Sequence, residues 1–210
     1  MDIANIRADY RLKTLNENEV EPNPINQFEK WFQEAIDCKI DEVNAMTLAT
    51  TSSGGKPHAR IVLLKDIKEN KFQFYTNYLS HKGAQIQENP HVALVFFWKE
   101  LQRQVRIEGI IEKTSEAESD TYFHSRPAGS RIGAWASPQS SVIESRTVLE
   151  ENADKYLKAF GNDIPRPSHW GGYNVAPLSM EFWQGRSNRL HDRILYSFIA
   201  GSWKIERLAP

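Results

Sequence analysis

Three stretches of the chain set cations beside aromatic and hydroxyl side chains. In YFHSRPAGSRIGAW, Tyr122 and Arg126 stand four residues apart, the spacing of one helix face, and Ser130 lies just past Pro127, where it can cap a following helix. A phenol, a guanidinium and a helix N-terminus converging on one point would receive a small phosphate monoester. The same spacing also serves plain stacking and an ordinary cap, and spacing alone does not choose between them. In WQGRSNRLHDR, Arg189, His191 and Arg193 alternate, so an extended chain would project all three from one face and Asp192 from the other. Such a row calls for an anion or an electron-rich ring among the cations, or else is a solvated edge strand guarded by its charges. Trp183, Gln184 and Gly185 just before it predict an aromatic contact followed by close backbone approach.

The third stretch is ARIVLLK, where Arg60 and Lys65 flank four apolar residues. Five positions apart, they fall on opposite faces of a flat strand and need not serve one ligand. Lys82 follows Ser80 at a predicted helix start, again a combination suited to phosphate. Gln104 in a strand and Gln139-Ser140 in a polar turn offer neutral donors and acceptors of the kind that read a heterocycle's edge.

Other chemistries lose their markers. There is no GxGxxG after a strand, no GxxxxGK[ST], no GxSxG and no HExxH. The six histidines are scattered without metal-ligand spacing, so no metal site is expected. The single cysteine, Cys38, rules out an intramolecular disulfide and reads as a small buried hydrophobe at a helix end. Lys and Arg number 26 against 27 Asp and Glu, a formal net charge of -1, which gives no overall field toward nucleic acid or anionic membrane. The longest apolar run, Val92 to Trp98, is too short to cross a bilayer, and the N-terminus lacks the features of a targeting peptide. A cytoplasmic protein is expected.

These residues need elements to hold them. Ile25, Phe28, Phe32, Ala35 and Ile36 recur at helical spacing behind Asn23 and Pro24, predicting a helix over 24–38. AMTLAT, ARIVLLKDI, KFQFYTN, HVALVFFW and RQVRIEGIIEKT read as five strands, interrupted only by a short helix near 82–87. Ser115 and Glu118 form a capping box for a helix that Pro127 stops; a second helix starts near Ser130, and a longer one is closed by Gly161. After a PRPSHWGG loop, YNVAPLSMEFWQG, RILYSFIAG and SWKIERLAP read as further strands, the last two a hairpin. Closely joined strands favour antiparallel pairing, and closure removes exposed edges, so the expected fold is β-rich α+β: a β-barrel with peripheral helices. Residues 19–210 form one domain, preceded by a polar, mobile segment over 1–18.

RIVLLK, YTN, RQVRIEG, YFHSRP with SRIGAWAS, PQSS, WGGY, and EFWQG with NRLHDR occur together in this order. In this the chain resembles the pyridoxine (pyridoxamine) 5′-phosphate oxidase family over essentially its whole length. The resemblance implies an FMN-binding split β-barrel, a homodimer with FMN at the subunit interface, and O2-dependent oxidation of the two phosphorylated B6 vitamers to pyridoxal 5′-phosphate. It places FMN contacts on Arg60, Ile61, Val62, Leu63, Leu64, Lys65, Tyr75, Thr76, His81, Lys82, Gln104, Gln139, Ser140, Trp183 and Arg193. Substrate contacts fall on Arg7 to Tyr10, Lys65, Tyr122, Arg126, Ser130, Arg189, Leu190 and His191, with Arg189 and His191 as the catalytic pair. Lys65, Tyr122, Arg126 and Ser130 would grip the substrate phosphate while Arg189 and His191 cover the pyridine ring. One departure stands out: His81 occupies the place where the family often has Arg before the lysine of its Ser-Arg-Lys segment, with Arg106 the candidate to compensate. The rivals are another split-barrel flavoprotein with a different substrate, which would lack the Tyr122, Arg126, Ser130 and RLHDR set, and a carrier without turnover.

Overall fold

The computed structural model describes Ile3, Asn5 and residues 9–210. Helix α1 (Pro24–Asp37) starts as expected: the Asn23 side chain accepts the Ile25 N–H at 2.8 Å and Pro24 opens the first turn. On its apolar face Ile25, Phe28, Trp31 and Ala35 are buried, whereas Ile36, expected to share that face, lies at its margin and is 43% exposed. Phe28 meets Phe72 and Phe96 edge-on at ring distances of 5.0 and 4.9 Å, and Trp31 meets Phe182 at 5.2 Å.

The strands β1 (Ala45–Thr51), β2 (Pro57–Leu63), β3 (Asp66–Lys68), β4 (Lys71–Asn77), β5 (His91–Trp98), β6 (Arg103–Lys113), β7 (Trp170–Gln184), β8 (Asp192–Ile199) and β9 (Ser202–Arg207) form one antiparallel sheet. Its order is β2-β1-β5-β6-β7-β4-β3, with β8 and β9 branching from β7. The sheet curls so that the chain leaving β2 meets β4, where the Lys65 N–H donates to the Gln73 carbonyl at 2.8 Å. Leu48, Leu94, Phe96, Val105, Ile107, Phe182 and Ile194 fill the inside of the curl, each 0% exposed. The β8–β9 hairpin turns through Ala200 and Gly201, both at positive φ (51° and 84°), matching the twist of the strands.

Outside the sheet lie α2 (His81–Glu88), α3 (Glu116–Ser125), α4 (Ala128–Ala136) and α5 (Thr147–Phe160). The capping box on α3 forms between Ser115 and Glu118, and Gly161, with φ 55°, closes α5. No described helix is long and apolar enough to cross a membrane.

Several expectations are corrected. ARIVLLKDI is not one strand: it breaks after Leu63, because the Lys65 backbone is captured by β4, a contact between distant segments. Phe97, inside the apolar run Val92 to Trp98, is 54% exposed, while its neighbours Phe96 and Trp98 point inward. Cys38 is exposed, since it lies one residue past α1 at the C-cap.

Candidate functional site

A cavity of ≈ 520 Å³ opens between β2, β4, α2 and the α3–α4 junction. It is lined by Ile61, Val62, Leu63, Lys65, Tyr75, Thr76, Lys82, Tyr122, Arg126, Pro127, Ser130, Gln139 and Trp170. Three of these are cations and none is a carboxylate. The Lys82 ammonium donates to Gln139 Oε1 at 2.6 Å, Thr76 Oγ1 at 3.0 Å and Ser80 Oγ at 3.1 Å, all neutral acceptors. Burial, reinforced by repulsion from Arg60, pulls Lys82 down to about 8. A lysine in the first turn of a helix also opposes the helix dipole. The position is unfavourable for a cation unless an anion joins it.

The opposite wall is aromatic. Tyr75 and Tyr122 stack with ring centroids 3.9 Å apart, and Trp170 lies 5.6 Å from Tyr75. The Tyr75 hydroxyl donates to Gln73 Oε1 at 2.7 Å, and burial holds its phenol protonated, pushed up to about 12. The Arg126 guanidinium sits 4.6 Å over the Trp170 ring, and its buried Nη1 has no hydrogen-bond partner among the described residues. A buried donor without an acceptor is costly, and an anion in the cavity would satisfy it.

Local structure sets these side chains differently from the helical expectation. Arg126 is extended (φ -76°, ψ 148°) at the C-cap of α3, since Pro127 disfavours helix at the residue before it. Ser130 is not the cap of α4: Pro127 holds that place, and the Ser130 N–H donates to the Pro127 carbonyl at 2.9 Å inside the first turn. Both residues still line the cavity with Tyr122. Gly83 lets α2 lie against the chain before it, because a Cβ there would fall 1.9 Å from the Tyr78 carbonyl oxygen.

A second group lies along the outer face of the sheet. Register places Phe97, Gln104, Trp183 and Arg193 in one row across β5, β6, β7 and β8. Arg193 is committed to Glu181 through two contacts, of 2.8 and 3.1 Å, and to the Ala209 carbonyl at 2.7 Å. Arg189 and His191 stand on the turn before β8, not on the strand expected from their alternation with Arg193. Ser187–Arg189 is a single 3₁₀ turn, and Asn188 and Arg189 adopt φ of 56° and 62°. The Arg186 N–H donates to His191 Nδ1 at 3.0 Å, which folds the turn back on itself. Burial and the nearby Arg189 charge lower the His191 pKa. The His191 ring is 4.6 Å from Trp183, and Tyr10 packs edge-on against Trp183 at 5.8 Å. The close approach expected at Gly185 is present: a Cβ there would lie 2.8 Å from Tyr10.

The structure therefore gathers Ile61 to Leu63, Lys65, Tyr75, Thr76, Lys82, Tyr122, Arg126, Ser130 and Gln139 in one place, and Tyr10, Trp183 and His191 in another. Trp170 and Trp183 mark the two places on the same strand, 13 residues apart, which at about 3.3 Å per residue is on the order of 40 Å of contour. Arg60 reaches Thr50, Gln85 and the Leu48 carbonyl beside the cavity, and Leu64 points into the core. His81 and Ser140 are exposed and do not line the cavity, Leu190 is exposed, and Arg7 lies outside the described residues. Arg106 does not compensate for His81; it pairs with Glu181 and Glu108 on the outer face. Trp170 was missed because WGGY reads as the end of a loop. Asp192 was missed because a strand would have turned it away from the cations.

Residues 32–158 match the family model for pyridoxamine 5′-phosphate oxidase, and residues 170–210 match that for the pyridoxine 5′-phosphate oxidase C-terminal dimerisation region. The chain belongs to the pyridoxamine 5′-phosphate oxidase family. It is 56% identical over 209 residues to pyridoxine/pyridoxamine 5′-phosphate oxidase 1 of Ralstonia nicotianae, with 99% of each chain covered. A pyridoxine/pyridoxamine 5′-phosphate oxidase of a Nostoc species is also 56% identical, over 99% of this chain and 98% of that one. Among solved structures, PhzG from Burkholderia lata, in complex with tetrahydrophenazine-1-carboxylic acid, superposes with a TM-score of 0.89 at 29% identity, covering 95% of this chain and 99% of that one. An FMN-binding, pyridoxamine 5′-phosphate oxidase-related protein from Nostoc punctiforme shares the fold at a TM-score of 0.71 and 17% identity, over 91% of this chain and all of that one. As a member of the family the chain is an oxidoreductase, and the cofactor expected from its sequence, FMN, is the family's. The cavity suits a flavin phosphate: Lys82 without a carboxylate partner beside an aromatic wall is what a planar, anionic ligand needs.

Proposed function

We propose that the protein oxidises pyridoxine 5′-phosphate or pyridoxamine 5′-phosphate to pyridoxal 5′-phosphate in vitamin B6 salvage and biosynthesis in the cytoplasm. O2 is the acceptor and H2O2 the product, with one water consumed and ammonia released when the amine is the substrate. Bound FMN supplies the two-electron acceptor. The chain's own residues bind and orient. Lys82, with Thr76 and Gln139, holds the flavin phosphate; Lys65, Tyr122, Arg126 and Ser130 hold the substrate phosphate. That division follows the family resemblance; the observation that carries the function is the carboxylate-free cavity with its unpartnered Arg126 Nη1, which supports a phosphorylated ligand there.

Two copies complete each site. The phosphate-holding cavity sits by the start of β7 and the Arg189–His191 turn follows its end, too far apart along the strand for one copy to close both on a single small molecule. In a symmetric homodimer the turn of one copy faces the cavity of the other. The match of residues 170–210 to a dimerisation region supports this, since that region contains Trp183, Arg189, His191 and Arg193. Arg189 covers the pyridine ring. His191, accepting a hydrogen bond at Nδ1, carries its proton on Nε2 and offers the substrate a donor. No nucleophile is required, because hydride removal depends on distance and orientation.

The FMN-loaded protein given pyridoxamine 5′-phosphate in air is expected to consume O2 and release equal amounts of H2O2 and pyridoxal 5′-phosphate. Turnover of a reduced phenazine carboxylic acid, with neither vitamer oxidised, would replace this reading with the one that PhzG favours.

A further inference from the structure

The turn that carries Arg189 and His191 is disfavoured on its own, with two consecutive non-glycine residues at positive φ. One carboxylate ties it to distant segments. Asp192 Oδ2 accepts from Arg186 Nη1 at 2.9 Å and from the Leu15 backbone N–H at 3.1 Å, while Oδ1 accepts from Arg207 Nη1 at 2.9 Å. Arg207 donates to the Leu15 carbonyl at 3.0 Å and grips Glu17 through contacts of 2.6 and 2.7 Å. Leu15 is thus held through both its N–H and its carbonyl, and its side chain is buried. On the turn side, Arg186 donates its own N–H to His191 Nδ1, and Ser187 Oγ donates to the Tyr10 carbonyl at 3.3 Å.

We propose that Asp192 is a positioning residue: joining Arg186, the Leu15 peptide and Arg207, it makes the segment 10–17 and the Arg189–His191 turn one unit. The proposal rests on the reading that Arg189 and His191 act on the substrate ring. Arg186 is the transmitting residue, since its side chain is held by Asp192 while its N–H fixes the His191 tautomer. Losing the Asp192 charge frees Arg186, relaxes the turn and loosens the segment 10–17 from it. The phosphate-holding cavity is untouched, because it shares none of these contacts.

The test uses full-length, FMN-loaded protein carrying Asp192→Asn, which keeps an oxygen for the Leu15 N–H but loses the charge that pairs both arginines. Arg186→Gln is the second variant, decisive should the first fail to fold. In Asp192→Asn, kcat for pyridoxamine 5′-phosphate is expected to fall about ten- to hundredfold while KM stays within about threefold. Tryptic cleavage after Arg11 and Lys13 should quicken about tenfold. The ¹⁵N shifts of the His191 ring, those of a pure Nε2–H tautomer in the wild type, should move toward a mixture. Wild-type kcat and cleavage in either folded variant would overturn the proposal, as would a loss confined to KM or FMN content, the mark of a merely structural role. If the unaltered protein oxidises neither vitamer, the reading of its function fails. The cleavage and nitrogen measurements then still decide whether Asp192 joins the two segments.

Discussion

Lys82 offers a test that needs no turnover. Its ammonium is drawn down to about 8 by burial and by Arg60, with only neutral acceptors around it. A phosphate dianion seated there restores ordinary lysine basicity, so above pH 8 binding must take up a proton. With a free-state value of about 8 and a bound-state value near 10.5, the apparent Kd for FMN rises about tenfold between pH 7 and pH 9. The phosphate does not titrate in that window, its second pKa being about 6. Quenching of FMN fluorescence measures the Kd, and riboflavin, lacking the phosphate, serves as the control with a flat profile. Lys82→Arg keeps the charge at every pH and should bind tightly with no slope; Lys82→Met should bind weakly, again with no slope. The sign for folding is opposite. The unfolded chain binds the proton that folded Lys82 rejects, so between about pH 8 and 10.5 Lys82 adds to the stability of the ligand-free protein as pH rises. A wild-type Kd as flat as that of Lys82→Arg from pH 7 to 9 would show that Lys82 does not meet the FMN phosphate as a depressed ammonium.

The remaining predictions concern the two halves of the site. Arg189→Ala should lower kcat about a hundredfold with FMN retained, while Arg126→Ala should act chiefly on KM, raising it about tenfold or more as a charge-assisted phosphate contact is lost; steady-state kinetics separate the two. Mixing these two impaired homodimers under conditions that exchange subunits, with substrate well below KM, should restore about a quarter of the wild-type rate, because half of the dimers are then hybrids with one intact site of two. Gly83→Ala should lower Tm by about 4–8 °C, equivalent to about 2 kcal/mol of overpacking against the Tyr78 carbonyl, and weaken FMN binding as Lys82 shifts; a thermal melt checks it.

Most elements were legible in the sequence because their signals are local. Asn23-Pro24, the Ser115–Glu118 box and Gly161 each act within one turn of the helix they bound, and α1, α3 and α5 begin or end there. What was not legible depended on distant contacts or on phase. Lys65 leaves β2 because β4 captures its N–H, and nothing in RIVLLKDI marks that break. VALVFFW is apolar throughout, so alternation gives no phase, and Phe97 turned out to face outward. Arg189 and His191 alternate with Arg193 in sequence, yet the hydrogen bond from Arg186 to His191 coils the chain there. Of the candidate site, the clustering of Tyr122, Arg126 and Ser130 was visible from spacing, although the proline and not a common helix face brings them together. The cofactor, the substrate and the second copy came from the family resemblance; no periodicity encodes them.

The central claim is that this site passes two electrons from a phosphorylated B6 vitamer to bound FMN. Anaerobic mixing of the FMN-loaded protein with pyridoxamine 5′-phosphate tests it most directly. Loss of the flavin's yellow absorbance, one pyridoxal 5′-phosphate per flavin, and return of the colour with release of H2O2 when air is admitted are expected. A flavin that keeps its colour in the presence of both pyridoxamine 5′-phosphate and pyridoxine 5′-phosphate would contradict it.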